Sequence, residues 1–349
     1  EDFMNINLDD KYLIDFLENL LNIPSPTGDA DKAIDYVKNE FDKLGLETYK
    51  TNKRALVATL KGQKEEAITF SGHVDTLGLM VKEIKQNGRV KVSKVGGFPM
   101  STIEGNYVNI STEENGLISG TVLLENSSTH VNRKVDATER NEENIEIRLD
   151  ELVYSKEDTK KLGIQIGDFI YINPNVRITK NGYINSRHLD DKAGVCTILG
   201  ICKYFVDNKI TPPYTLNFFI SNYEEVGHGS AAAIPTNTKY FIAVDMAAMG
   251  DGQNSREECT NICVKDSSGP YDINIKRNLV SAAKKHNIDY KLDIYPYYGS
   301  DASAMQSAGN DIPAGLIGPG VDNSHAFERT HINGILNTSK LGIGFIYEI

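Results

Sequence analysis

Ala67-Ile-Thr-Phe-Ser-Gly-His-Val-Asp-Thr-Leu-Gly78 starts as an apolar run and stops on an imidazole and a carboxylate. Ala67 to Phe70 has the composition of a buried strand, so His73 and Asp75 fall where a strand runs out into a loop. In open α/β sheets, ligands bind beyond the carboxyl ends of the strands. The same arrangement recurs along the chain. Asp190 and Asp191 lie in Arg187-His-Leu-Asp-Asp-Lys-Ala-Gly194, and Glu224 and Glu225 follow the strand-like Tyr214-Thr-Leu-Asn-Phe-Phe-Ile220. Asp245 ends the run Phe241-Ile-Ala-Val244, and His325 follows Gly318-Pro-Gly-Val-Asp-Asn-Ser324. Imidazole and carboxylate donors dispersed in this way suit a paired divalent-metal site.

Each motif has an ordinary reading beside the chemical one. In His73-Val-Asp75, residues two apart in extended chain point the same way, so the Asp75 carboxylate is expected to hydrogen-bond the His73 ring and fix its tautomer. Adjacent Glu224 and Glu225 must project differently, which lets one bind metal while the other faces a reacting water. Taken alone, that pair reads as a solvated acidic turn, and Asp190-Asp191 as a helix cap. A single His325 in a glycine-rich loop would carry no meaning. The order and spacing of the whole set are what resist the ordinary readings.

Working outward, 349 residues predict two domains and a sizeable core. A hydrophobic share of 40% and a charged share of 24% describe a soluble globular chain without an apolar run long enough to span a bilayer. Glu1-Asp-Phe-Met-Asn5 does not read as a signal peptide. The net charge of −11 argues against nucleic acid or an anionic membrane as partner. The four cysteines are too few for a disulfide scaffold, which points to the cytoplasm; Cys259 and Cys263 could share a helix face, at a spacing that is not that of a zinc ribbon.

Tyr12, Leu13, Phe16, Leu17, Leu20 and Leu21 recur at helical spacing behind Asp9 and Asp10, and Ile34, Val37, Phe41 and Leu44 repeat the pattern until Gly45. Leu56 to Leu60 reads as a second buried strand. Between about 77 and 184 the character changes to short strands (Leu79 to Ile84, Arg89 to Val95, Tyr107 to Ile110, Gly120 to Leu124, Ile145 to Leu149, Phe169 to Ile172), with one helical stretch near Ser155 to Lys161. Helices and strands then alternate again: a helix over Val195 to Phe205, a helix over Ile275, Leu279 and Ala283, a strand around Leu292 to Tyr295, and a helix after Ser300-Asp301. The expectation is an α/β catalytic domain in two segments, 1–76 and 185–349, with a small all-β domain, 77–184, inserted between them.

The ordered series resembles the M42 family of metallo-aminopeptidases. Gly72-His-Val-Asp-Thr-Leu-Gly-Leu-Met-Val81, Val95-Gly-Gly-Phe98, Leu189-Asp-Asp-Lys-Ala-Gly194, Glu224-Glu-Val-Gly-His-Gly-Ser-Ala231 and Tyr298-Gly-Ser-Asp-Ala302 each look like a segment of that family. The resemblance implies a mixed-sheet, three-layer catalytic domain of zinc-exopeptidase type and a barrel-like insert serving dimerisation or as a lid. It implies two divalent ions per subunit, zinc or cobalt first and manganese next. One would be held by His73, Asp190 and Asp245, the other by Asp190, Glu225 and His325, with Glu224 as general base and Asp75 orienting His73. It also implies peptide substrates, release of N-terminal residues, and homo-oligomers from dimer to dodecamer.

Some residues depart from the family pattern. Thr76 stands for an acidic residue and Lys192 for arginine. Gly320-Val-Asp-Asn-Ser324 lacks the Arg-Tyr that often precedes the metal histidine, Ala326-Phe-Glu328 stands for Ser-x-x-Glu, and the substrate pocket is where these changes are expected to tell. His188 and His228, with no family counterpart, are set aside along with Asp191. Three other readings compete. A glycosidase needs its carboxylates across the scissile bond, which adjacent Glu224 and Glu225 do not offer. An M20-like carboxypeptidase or N-acyl amino acid deacylase would use nearly the same ligands under a lid with long helices. A non-catalytic binding or assembly protein has no need of a complete set.

Overall fold

The computed structural model describes residues 6–349, so the stretch Glu1 to Asn5 lies outside the described residues. The first segment carries α1 (Asp10–Leu21), α2 (Asp31–Lys43), β1 (Glu47–Lys50), β2 (Leu56–Leu60) and β3 (Lys64–His73). Asp9 caps α1 by accepting from the Tyr12 backbone N–H at 3.0 Å. The helix buries Leu13, Phe16, Leu17, Leu20 and Leu21, the face that the spacing predicted.

Six strands follow: β4 (Gly78–Ile84), β5 (Val90–Val95), β6 (Tyr107–Thr112), β7 (Gly116–Leu124), β8 (Ile145–Leu149) and β9 (Phe169–Ile172), with α3 (Lys156–Lys161) before the last. They close an antiparallel barrel in the order β4-β5-β8-β7-β6-β9. Alternate residues such as Leu79, Val81, Val90, Val92, Val108, Ile110, Val122 and Ile147 fill its interior as a core of its own.

The chain then returns through β10 (Arg177–Ile178), β11 (Tyr183–Ser186), α4 (Leu189–Asp207), β12 (Tyr214–Ser221), β13 (Thr238–Val244), β14 (Ala247–Ala248), β15 (Thr260–Asp266) and β16 (Gly269–Pro270). It ends in α5 (Ile273–Lys285), β17 (Tyr290–Ile294), α6 (Asp301–Ser307), β18 (Ala314–Val321), β19 (Glu328–His331) and α7 (Ile332–Phe345). The main sheet is mixed, in the order β1-β2-β12-β3-β13-β18-β15-β16. Its centre is parallel, because β3 pairs in parallel with both β12 and β13, and β13 with β18. Ile242 and Val244 of β13 face the core built with α1, α2, α4, α5 and α7, whereas Phe241 and Ala243 face a smaller cluster with Ala302 and Met305 of α6. The result is three layers, helix, sheet and helix. Among the described residues no helix is long and apolar enough to cross a membrane.

Two features depart from the sequence reading. Cys263 lies in β15 and Cys259 just before it, so the expected helix face is absent: β15 is held by β18 on one side and β17 on the other. All four thiols are free and buried, and burial pushes Cys259 up to about 11 and Cys263 to about 12. β18 and α7 were not assigned, because their glycines and proline read as loop. Those glycines answer to packing instead. A Cβ on Gly318 would lie 1.7 Å from the Asp245 carbonyl oxygen, so β18 can approach that strand end only as glycine. Gly318→Ala is therefore expected to cost on the order of 3 kcal/mol or more, read as a lowered denaturation midpoint and as reduced metal affinity through displaced Asp245.

Candidate metal centre

The parallel core delivers the site. Ser221 of β12 pairs with His73 of β3, and Asp245 follows β13 directly, so Glu224, Glu225, His73 and Asp245 leave adjacent strands at one edge. Asp190 and Asp191 enter at the start of α4, where both keep non-helical backbone angles and the peptide between them is cis. His325 sits between β18 and β19 with φ of 63°. Long-range strand pairing thus converges residues that the sequence scatters.

Two donor sets form, His73 with Asp190 and Asp245, and Asp190 with Glu225 and His325, each with ligand atoms within 4.8 Å of one another. Asp190 belongs to both: its Oδ1 lies 3.2 Å from His73 Nε2 and its Oδ2 3.0 Å from His325 Nε2. Glu224 Oε2 stands 3.4 Å from His73 Nε2, and Glu225 Oε2 stands 3.5 Å from His325 Nε2. Each imidazole donates its Nδ1 hydrogen to a backbone carbonyl, His73 to Asp75 at 2.8 Å and His325 to Gly97 at 2.5 Å. Nε2 of each ring then faces carboxylate oxygens, an arrangement that either a second proton or a cation between them satisfies. His73 Nε2 and Glu225 Oε1 are buried without a hydrogen-bond partner. Together these features fit divalent ions bound by nitrogen and oxygen.

The electrostatics agree. Burial works to raise Asp190, but its hydrogen bond with His325 and the adjacent His73 ring pull it below the carboxylate range. Burial raises Glu224 and Glu225 well above theirs, and repulsion adds to it, from Asp245 on Glu224 and from Asp190 on Glu225. Burial and then Asp190 push Asp245 up to about 7. Burial would lower His325, yet the Asp190 hydrogen bond and the charges of Asp190 and Glu225 hold it up at about 10. This is a concentration of negative charge that divalent cations neutralise.

The Asp75 expectation needs correction. Its carboxylate lies 3.7 Å from His73 Nδ1, too far to hold the ring. It accepts instead from Thr27 Oγ1 at 2.6 Å and from the backbone N–H groups of Glu224 and Glu225 at 3.2 and 3.3 Å. Asp75 therefore orients His73 with its main chain and the Glu pair with its side chain. The β-strand ends at His73, so the alternation that would have aligned the two side chains does not reach Asp75.

Asp191 accepts from the His73 and Gly194 backbone N–H groups, both at 3.2 Å, and joins neither donor set. His228 stacks on Tyr223 with ring centroids 5.0 Å apart, and His188 is held neutral by burial and by the nearby charges of Lys192 and Arg187. Neither belongs to a donor set. Of the departures from the family pattern expected to shape the substrate pocket, Ser324 lines the cavity beside His325, whereas Thr76 and Lys192 lie elsewhere. Thr76 is buried and pairs its backbone with Ser25 and Thr27, while Lys192 Nζ donates to the Leu20 and Ile23 carbonyls at 2.9 and 2.7 Å. Neither lines the cavity of about 970 Å³ that opens on the donor sets.

Sequence reasoning missed two supporting acids. Glu328 accepts from the backbone N–H groups of Asp190 at 3.1 Å and His325 at 3.0 Å, bracing both ligands at once. Asp301 accepts from Ser71 Oγ, Ser221 Oγ and the Ser230 N–H behind the centre. The available signal was an acid inside each family-like segment. Glu328→Gln replaces one of the two accepting oxygens by an amide and is expected to weaken metal binding roughly 10- to 100-fold, measured by titrating metal into chelator-stripped protein.

Comparison with known proteins follows the geometry. The M42 glutamyl aminopeptidase family profile matches residues 55–341. YhfE of Bacillus subtilis (strain 168), a provisionally named aminopeptidase, is 49% identical over 94% of this chain and 95% of its own. Among solved structures, the TET aminopeptidase of Thaumarchaeota archaeon SCGC AB-539-E09 superposes with a TM-score of 0.87 at 18% identity, covering 96% of both chains. The Pyrococcus horikoshii TET1 peptidase, described as assembling into a tetrahedron or a large octahedral shell, gives 0.84 at 24% identity over 97% of this chain and all of its own. These two likenesses concern the fold. The family match spans most of the chain, and the protein therefore belongs to the M42 family of metal-dependent aminopeptidases, hydrolases of peptide bonds.

Proposed function

We propose that this enzyme is a dinuclear aminopeptidase that releases N-terminal residues from short peptides, with Glu224 as the general base. The observation that carries this reading is the pair of donor sets sharing Asp190. Zinc or cobalt, or else manganese, held by His73, Asp190 and Asp245 and by Asp190, Glu225 and His325, would polarise the scissile carbonyl and acidify a water between the sites. Glu224 belongs to neither set and stands beside His73, and burial raises it well above the carboxylate range, the direction that suits a general base. It takes the proton from the attacking water and passes it to the departing amine. The carboxylates around it give a negative field that suits a free α-ammonium group, which favours attack at the N-terminal residue.

The insert weighs against the M20-like carboxypeptidase or deacylase, since a closed barrel with a single α-helix, of six residues, stands where that reading expects long helices. The complete donor sets weigh against a non-catalytic protein. We assign residues 1–76 and 185–349 to the catalytic domain and 77–184 to the inserted one, on the strength of two cores that are separate except that Val176, Ile178 and Ile184, near the end of the insert, pack with the catalytic core. Tyr107, Leu117, Leu152, Tyr154 and Ile166 expose large apolar side chains on the insert, a surface suited to a second copy of this chain, from dimer up to the dodecamer. Four free buried thiols suit a reducing cytoplasm.

Glu224→Gln is expected to lower kcat by at least ~10²-fold while metal content stays near wild type. Metal analysis beside the activity assay separates the roles of the pair, because a large loss of metal would assign Glu224 as a ligand. Chelation should abolish hydrolysis of aminoacyl anilides, and zinc, cobalt or manganese should restore it. Turnover confined to N-acylated or C-terminal substrates would overturn the aminopeptidase reading.

A further inference from the structure

The cavity opening on the two donor sets has a second end. Beyond Asp190, Glu224, Glu225, Asp245 and His325 its wall is made by Met246, Ala248, Tyr298, Ser303 and Ala304, with Ser267 and Ser268 at the rim. No lysine or arginine lines it among the described residues. The family description names glutamyl substrates, and an acidic side chain entering this end would meet no lysine or arginine. We infer that this pocket selects N-terminal residues with uncharged, bulky side chains, and that the inward face of α6 at Ala304 sets the choice.

Most polar groups of the wall support this, because their donor hydrogens are already engaged within the protein. Tyr298 donates its hydroxyl to the Met246 carbonyl at 2.8 Å, Ser267 donates to the Tyr298 carbonyl at 2.6 Å, and Ser268 donates to the Asp266 carboxylate at 2.5 Å. Ser303 donates to the Ser300 carbonyl at 2.9 Å, and Gln253 spends its amide on Asp293 and the Ile294 carbonyl. Asp301, the further acid on the wall, is 2% exposed and has both oxygens bonded behind the pocket. A charged substrate side chain would therefore be desolvated with no partner, which is costly for either sign, while an apolar one loses nothing. Small residues on α6 leave room: Ser303, Ala304, Ser307 and Ala308 recur at the three- and four-residue spacing of one helix face, all on the cavity.

This inference rests on the proposed aminopeptidase reading, and the test keeps the two apart. The metal-loaded enzyme is assayed on leucyl, phenylalanyl, glutamyl and lysyl p-nitroanilides, with N-acetyl-leucyl p-nitroanilide as the blocked control. The expected result is kcat/KM for leucyl or phenylalanyl at least about tenfold above glutamyl and lysyl. Ala304→Arg places a cation on the pocket wall and Ser307→Arg places one at its exposed mouth. In whichever variants keep the wild-type circular dichroism and metal content, the glutamyl-to-leucyl ratio should rise at least about tenfold in one or both. Faster glutamyl or lysyl turnover by the wild type, or an unchanged ratio in the folded variants, overturns the inference and leaves the aminopeptidase reading standing. Turnover of the blocked substrate alone overturns both.

Discussion

One carboxylate shared between two imidazoles is the contact on which the rest of the centre depends. Asp190 turns one oxygen to His73 and the other to His325, and those rings arrive from opposite ends of the chain. For that to happen, β3, β18 and the start of α4 must meet at one edge of the sheet. The parallel register of β3 with β12 and β13, and of β13 with β18, provides the meeting place. Gly318 and Gly194 permit the close approaches: a Cβ on Gly194 would lie 2.2 Å from Asp191 Oδ1 and 2.3 Å from the Val244 carbonyl.

The acids around the centre divide by what satisfies them. Asp75, Asp191 and Glu328 each accept two backbone N–H groups, and Asp301 accepts one with two serine hydroxyls. Their charge is spent on fixing main chain near the ligands. Asp190, Asp245, Glu224 and Glu225 instead turn toward the cavity, and burial, with mutual repulsion added, keeps Asp245, Glu224 and Glu225 raised. A protein tolerates so many buried carboxylates when outward ones are held by donors and inward ones await cations. The insert takes part as well, since the Gly97 carbonyl from the barrel side orients His325. The barrel and the metal centre are thereby mechanically linked.

Much of this was legible beforehand where local chemistry governs. Helical spacing located α1, α2, α4 and α5, and the short strands of 77–184 located the barrel strands, because one-sided burial imprints its period on the sequence. β18 carried no such imprint because it is buried along its whole length, and in α7, which leaves only Asn333, Leu336, Asn337 and Lys340 open or partly open, the glycines masked it. Glycines in both record contacts with distant backbone, such as Gly334 against the Glu257 carbonyl. The Asp75 side chain was misdirected for a related reason, in that the strand stopped at His73 and the alternation rule stopped with it.

The sequence by itself determined which donors exist and where each leaves its strand, since residue type and apolar patterning are local properties. Only the tertiary structure decided that Asp190 stands between the two histidines, that Asp75 and Glu328 serve the backbone, and that the pocket wall beyond them carries no lysine or arginine. Those outcomes depend on strand register and on approaches between segments far apart in the chain. Neither is written in any one segment, because each is settled by the packing of all of them together.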